Sequence, residues 1–189
     1  MFKSEFRPAT KKTHDEQVAN FTDGINTLII GSSVMERFIW FAKKDFSPNV
    51  LVLAKGGDRL EHLLWRLEHT PNSPKIKKIV VQIGTNNLHP KKNNLEYIAA
   101  GIKHIVDLLY IKYPNADIKF PALYHRDDIL PENVNTLNQL IKSKLGNMFI
   151  EDFWVGLLGD TFDQSKYVDH VHLNQKSYNW FYDRLVSLL

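Results

Sequence analysis

The chain contains no cysteine. Disulfides, cysteine-ligated zinc, iron–sulfur clusters and a thiol nucleophile are therefore excluded together. Long apolar runs are missing too: no stretch approaches the roughly 20 residues that a membrane-spanning helix needs. The opening residues, MFKSEFRPATKK, mix charges with a proline and hold no apolar core of the kind a secretory leader requires. An excess of one charge sign is also lacking. The 24 Lys and Arg stand against 21 Asp and Glu, a formal net charge of +3, which falls short of the footprint of a dedicated nucleic-acid binder. The basic groups Lys11-Lys12, Lys43-Lys44, Lys75 with Lys77-Lys78, and Lys91-Lys92 are scattered and read as solvated surface. The expected setting is cytoplasmic, without a nucleic-acid partner or a transmembrane segment.

What is present is an ordinary globular composition: 189 residues, 43% hydrophobic and 24% charged, the size of one domain. Such a chain buries roughly 70% of its unfolded surface and needs no covalent staple. Residues 1–24 are polar and lack clean periodicity; they read as an N-terminal arm, partly disordered or helical, ahead of a domain over 25–189. From Ile25 onward, short apolar runs alternate with amphipathic segments. The runs Thr27–Ile30, Val50–Leu53, Ile79–Ile83, Ile118–Leu123 and Met148–Phe153 are rich in β-branched residues and mostly continuous, as parallel strands buried on both faces should be. Helical spacing places Val34, Phe38, Phe41 and Ala42 on one stripe, and Leu60, Leu63, Leu64 and Leu67 on the next. Ile98, Ile102, Ile105 and Leu109 form a third, and Val134, Leu137, Ile141 and Leu145 a fourth. A last helix starts near Asn174 and buries Tyr178, Phe181, Leu185 and Leu188. This alternation predicts a doubly wound α/β sandwich on a parallel sheet, whose sites lie where the strands end.

Each strand end carries polar residues. After the first run come Gly31-Ser32-Ser33, where either serine can be a helix N-cap or can sit in the field of a helix N-terminus. After the second come Gly56-Gly57-Asp58, a tight turn with Asp58 as the next N-cap, or a backbone amide offered to an oxyanion. After the third come Gly84-Thr85-Asn86-Asn87, a turn-forming pair or neutral donors suited to the same purpose. Near the C-terminus come Asp169, His170 and His172. An Asp three residues before a His can fix its tautomer and leave the other ring nitrogen free as a base. A surface loop is the plain alternative. A metal site would need His170 and His172 joined by groups such as Asp160 and Asp163, and no ligand spacing supports it. The first turn lacks a phosphate-binding glycine fingerprint, which argues against a nucleotide binder on this fold.

Taken in this order, the motifs resemble the SGNH hydrolases, also called the GDSL esterases and lipases. More narrowly, Gly56-Gly57-Asp58-Arg59, Leu64-Trp65-Arg66-Leu67 and Val80-Val81-Gln82-Ile83-Gly84-Thr85-Asn86-Asn87 are similar to the platelet-activating factor acetylhydrolase catalytic subunits. The resemblance runs from about Ile25 to the C-terminus. It implies a three-layer α/β/α sandwich with a five-stranded parallel sheet of flavodoxin-like type. It also implies a serine esterase acting on carboxylic esters, with short acyl groups such as acetyl. In that scheme Ser33 is the nucleophile, His172 the general base and Asp169 the orienting carboxylate. The oxyanion hole combines the backbone N–H groups of Ser33 and Gly57 with the side-chain amide of Asn86. No metal or organic cofactor is implied. The substrate is a small-molecule or lipid ester, and the chain is a monomer or a homodimer. Arg126, after the fourth run, matches an arginine-containing loop and is expected near the cleft or as a surface loop charge. One departure stands out: the family has Asp before the nucleophile, and this chain has Ser32. The alternative is a catalytically weak or inactive binding module on the same fold, associated with lipid or nucleic acid.

Overall fold

A computed structural model describes residues 2–42 and 47–189; the pair Lys43-Lys44 lies outside the described residues. The strands are β1 (Thr27–Gly31), β2 (Val50–Ala54), β3 (Lys78–Gln82), β4 (Asp117–Pro121) and β5 (Phe149–Ile150). All pairings are parallel, in the order β2-β1-β3-β4-β5. The helices are α1 (Lys11–Ala19), α2 (Ser33–Ala42), α3 (Leu60–Glu68), α4 (Leu95–Lys112), α5 (Pro131–Leu145) and α6 (Gln175–Val186). The chain runs outward from β1 to β2, then returns past β1 to β3 and continues the other way. With right-handed crossovers this puts α2 on one face and α3, α4 and α5 on the other. The packing agrees, since α2 lies on α6 while α3, α4 and α5 follow one another.

The inner strand β1 is buried along its whole length, as its uninterrupted apolar run requires. Its register sets the ends of the neighbouring strands level: Gly31 lies opposite Ala54 on one side and Gln82 on the other. The helical stripes face the sheet as their spacing demands. Leu60, Leu63, Leu64 and Leu67 are buried, as are Ile98, Ile102, Ile105 and Leu109, and Val134, Leu137, Ile141 and Leu145. Asn174 caps α6, its side chain accepting the Ser177 N–H at 3.0 Å.

Three local readings are corrected. The run expected to form a strand through Leu123 stops at Pro121. Beyond it the Ala122 carbonyl leaves the ladder and accepts the Gln82 side-chain amide and the Trp154 indole N–H, at 2.8 and 2.7 Å. The run 148–153 yields only a two-residue strand, β5. Phe153 and Trp154 turn inward to pack edge-on against each other, and both meet Phe181 of α6. Asp58 is not the N-cap of α3, a position taken by Arg59. It is fully buried and paired with Arg66 at 2.9 Å.

The first residues are laid against the body. A short 3-10 turn (Pro8–Thr10) leads into α1. Gln17 donates to the Ala54 carbonyl at the end of β2, and the Phe6 ring packs tilted against Trp65 of α3. No described helix is long and apolar enough to cross a membrane.

Candidate active site

The polar loops meet at the carboxyl end of β1 and β3, where the strand order reverses, the place at which doubly wound sheets hold their sites. Gly31 makes the first turn possible: a Cβ there would lie 2.5 Å from the Gln82 carbonyl oxygen. The chain therefore turns sharply into α2, with Ser33 as its first residue. Ser32 points inward and is 1% exposed, whereas Ser33 reaches the cleft. Its Oγ lies 2.9 Å from His172 Nε2.

His172 sits on a loop pinched by the Tyr167–Leu173 bridge. Asp169 organises that loop. Its Oδ1 accepts the backbone N–H groups of Val171 and His172 at 2.9 and 2.7 Å, and its Oδ2 lies 2.7 Å from His172 Nδ1. Burial pushes the Asp169 carboxyl up, but the hydrogen bonds from the His172 ring and from both N–H groups outweigh it and hold it well below the usual carboxylate range. The ionised carboxylate is acceptor-only, so Nδ1 carries the proton and the Nε2 lone pair faces Ser33. Burial also lowers the His172 pKa; the hydrogen bond its ring donates to Asp169 opposes this, and the Arg37 cation adds to it. The imidazole is thus neutral near pH 7, the state in which it can accept a hydroxyl proton.

The donors lie opposite. Lys55 to Asp58 form a β-turn closed by the Asp58 N–H on the Lys55 carbonyl at 3.2 Å, with Gly57 at φ +76°. The Gly56 N–H is taken by Glu36 Oε2 at 2.8 Å. Among the described residues the N–H groups of Gly57 and Ser33 meet no acceptor. The two asparagines part ways. Asn86 lines the cleft with its Nδ2 steadied by the Asp58 carbonyl at 2.9 Å, leaving its second N–H free. Asn87 turns to α3, accepting the Leu60 N–H at 3.0 Å. Arg126 lines the cleft from beneath, nine-tenths buried, and clamps the loops by donating to the Thr85 carbonyl at 2.8 Å and to both Asp128 oxygens. The cleft has a volume of about 350 Å³.

The structure therefore brings Ser33, Gly57, Asn86, Arg126 and His172 to one cleft, with Asp169 bonded to His172. Glu36, Arg37 and Trp40 also line it and were not singled out from the sequence. Their spacing of three, four and seven residues from Ser33 is the signal that finds them, since it places them on one helix face. Arg37 Nη1 is 4.0 Å from Asp169 Oδ2, and Trp40 stands at the rim, 61% exposed. Among the described residues no three His, Asp or Glu side chains converge as a metal would need.

A sheet of order 2-1-3-4-5 carrying a Ser–His–Asp chain of hydrogen bonds at its switch point defines the class: an α/β/α sandwich of the SGNH hydrolase type. No protein-family model matches the chain. It is 34% identical over 139 residues to human platelet-activating factor acetylhydrolase IB subunit alpha2, covering 67% of this chain and 58% of that protein. It is 30% identical over 178 residues to the bovine IB subunit alpha1, covering 86% of this chain and 74% of the relative. A GDSL-like lipase from Bacteroides thetaiotaomicron shares the fold at a TM-score of 0.70 and 16% identity, over 94% of this chain and 93% of that one. The chain belongs to the SGNH, or GDSL-type, hydrolases, the family of the platelet-activating factor acetylhydrolase IB subunits.

Proposed function

We propose that the chain is a serine ester hydrolase working through an acyl-serine intermediate. The observation that carries this is the continuous hydrogen-bond chain from Ser33 Oγ through His172 to Asp169. Ser33 Oγ attacks the ester carbonyl carbon while Nε2 of His172 takes its proton, and Asp169 stabilises the resulting imidazolium. The oxyanion meets the N–H groups of Ser33 and Gly57 and the free amide hydrogen of Asn86. Collapse breaks the bond to the alcohol oxygen, which receives the proton from Nε2. Water then repeats the sequence on the acyl-enzyme.

The substrate class is a small or lipid ester with a short acyl group, acetyl first. The name of the acetylhydrolase relatives supports this, and so does a cleft of only about 350 Å³. The Asn86 amide is held by the Asp58 carbonyl, the Gly57 N–H by its turn and the Ser33 N–H by the helix start, so they need little reorganisation as charge develops.

The test is a p-nitrophenyl ester series of rising acyl length on wild type and Ser33→Ala. Turnover should be highest for acetate, and Ser33→Ala should fall to background while keeping its far-UV spectrum. Full turnover by folded Ser33→Ala would contradict the assignment.

A further inference from the structure

The turn that carries Gly57 is gripped from outside by the N-terminal arm. Arg7 Nη1 donates to the Gly56 carbonyl oxygen at 2.8 Å and lies 3.3 Å from Asp58 Oδ1. The guanidinium meets the turn end-on: a Cβ on Gly57 would sit 3.0 Å from both of its terminal nitrogens and 3.4 Å from its central carbon. Arg7 is itself anchored. Its own carbonyl accepts the Thr10 N–H and hydroxyl at 2.9 and 2.8 Å, and nearby the Glu5 N–H donates to the Glu61 carbonyl at 3.0 Å. From the cleft side, Glu36 holds the Gly56 N–H and also bonds Lys55 at 3.1 Å.

This geometry bears on a single peptide group. The Gly56 carbonyl and the Gly57 N–H belong to the same planar trans peptide, so they point in opposite directions. It is the central peptide of the Lys55–Asp58 turn, and a φ of +76° at Gly57 is the type II arrangement. Rotating that peptide by about half a turn converts type II into type I. Two glycines put little steric barrier in the way. The rotated form would turn the carbonyl oxygen toward the cleft, where it would repel a developing oxyanion.

We propose that Arg7 is a positioning residue of the active site: by holding the Gly56 carbonyl outward, it keeps the Gly57 N–H directed into the cleft. The arm is then part of the catalytic apparatus, and Glu36 secures the same turn from the other side. The inference rests on the oxyanion role given to Gly57 above. It adds a requirement carried by a residue 49 positions away from the carbonyl it grips.

The experiment compares Arg7→Ala and Arg7→Lys with wild type in the full chain, using p-nitrophenyl acetate and a trifluoromethyl ketone. The ketone adds Ser33 Oγ to its carbonyl carbon and leaves an oxyanion in the same hole. For Arg7→Ala, kcat should fall about 10- to 100-fold with KM within about twofold, because a donor is misdirected rather than deleted. The ketone inhibition constant should rise by the same factor. Millimolar guanidinium ion should restore part of the lost turnover. Arg7→Lys keeps a cation beside Asp58 without the planar fork and should fall between the two; it carries the test if Arg7→Ala does not fold. Unchanged kcat in either folded variant, or a fall in kcat with no change in ketone affinity, overturns the proposal. If Ser33→Ala retains turnover, the esterase reading fails instead, which keeps the two outcomes apart.

Discussion

Two clefts of similar size open at the carboxyl ends of the strands, and they differ in what their polar groups are free to do. The first, about 350 Å³, holds Ser33 and His172; the second, about 380 Å³, lies beyond β4 and β5. In the second, several polar side chains are bound to the walls or to one another. Asn138 closes both of its ends on Leu123, accepting its N–H at 2.9 Å and donating to its carbonyl at 2.7 Å. The Trp154 indole is bound to the Ala122 carbonyl, and His125 Nε2 lies 2.9 Å from Asn135 Oδ1. In the first, each committed bond leaves one group over: a neutral Nε2 facing a hydroxyl, the Gly57 N–H, and one hydrogen of Asn86. Volume does not separate the proposed site from the second cleft. The convergence of a hydroxyl, an imidazole and N–H donors does.

Substitutions in each cleft should break or sharpen that contrast. The largest effect is expected for His172→Ala, which removes the base and should bring ester turnover to background, read by steady-state kinetics on p-nitrophenyl acetate. Asp169→Asn should retain a measurable residue of activity, since Val171 and His172 can still bond one side-chain oxygen. Asn86→Ala deletes one oxyanion donor and should lower kcat by about 10²- to 10³-fold with a small change in KM.

A smaller effect concerns pH. The base works only when neutral, so kcat/KM should rise with pH through a midpoint below the ordinary imidazole value of 6.5. The Arg37 cation disfavours the imidazolium, so Arg37→Ala should move that midpoint upward; a downward shift would be the wrong sign. The smallest effect on catalysis is expected in the second cleft. Asn138→Ala strands the buried Leu123 N–H and carbonyl and should cost about 1–3 kcal/mol of stability by urea unfolding, with kcat unchanged.

Local patterns in the sequence were enough for β1 to β3, whose middles are unbroken apolar runs, and for β4 despite Lys119 in its middle. β5 was less legible. Met148–Phe153 looks like another such run, yet its aromatic end is claimed by Phe181 of a helix that comes much later in the chain. Asp58 shows the same limit. Its position before a helical pattern suggests a cap, and only the folded chain brings Arg66 and Arg7 to its two oxygens. At the site, residue types at strand ends were readable one by one, but nothing local distinguishes Ser33 from Ser32. The turn of the backbone does so, burying one and presenting the other to His172. Arg7 was invisible for a related reason: the arm lacks periodicity, and its meaning comes from the carbonyl it reaches across the fold.

The most direct test of the account is covalent. Wild type and His172→Ala are treated with a fluorophosphonate, and the labelled position is mapped by peptide mass spectrometry. The account predicts one phosphonyl adduct, on Ser33, that is lost or slowed by orders of magnitude in His172→Ala. No adduct on wild type, an adduct on Ser32, or undiminished labelling without His172 would contradict it.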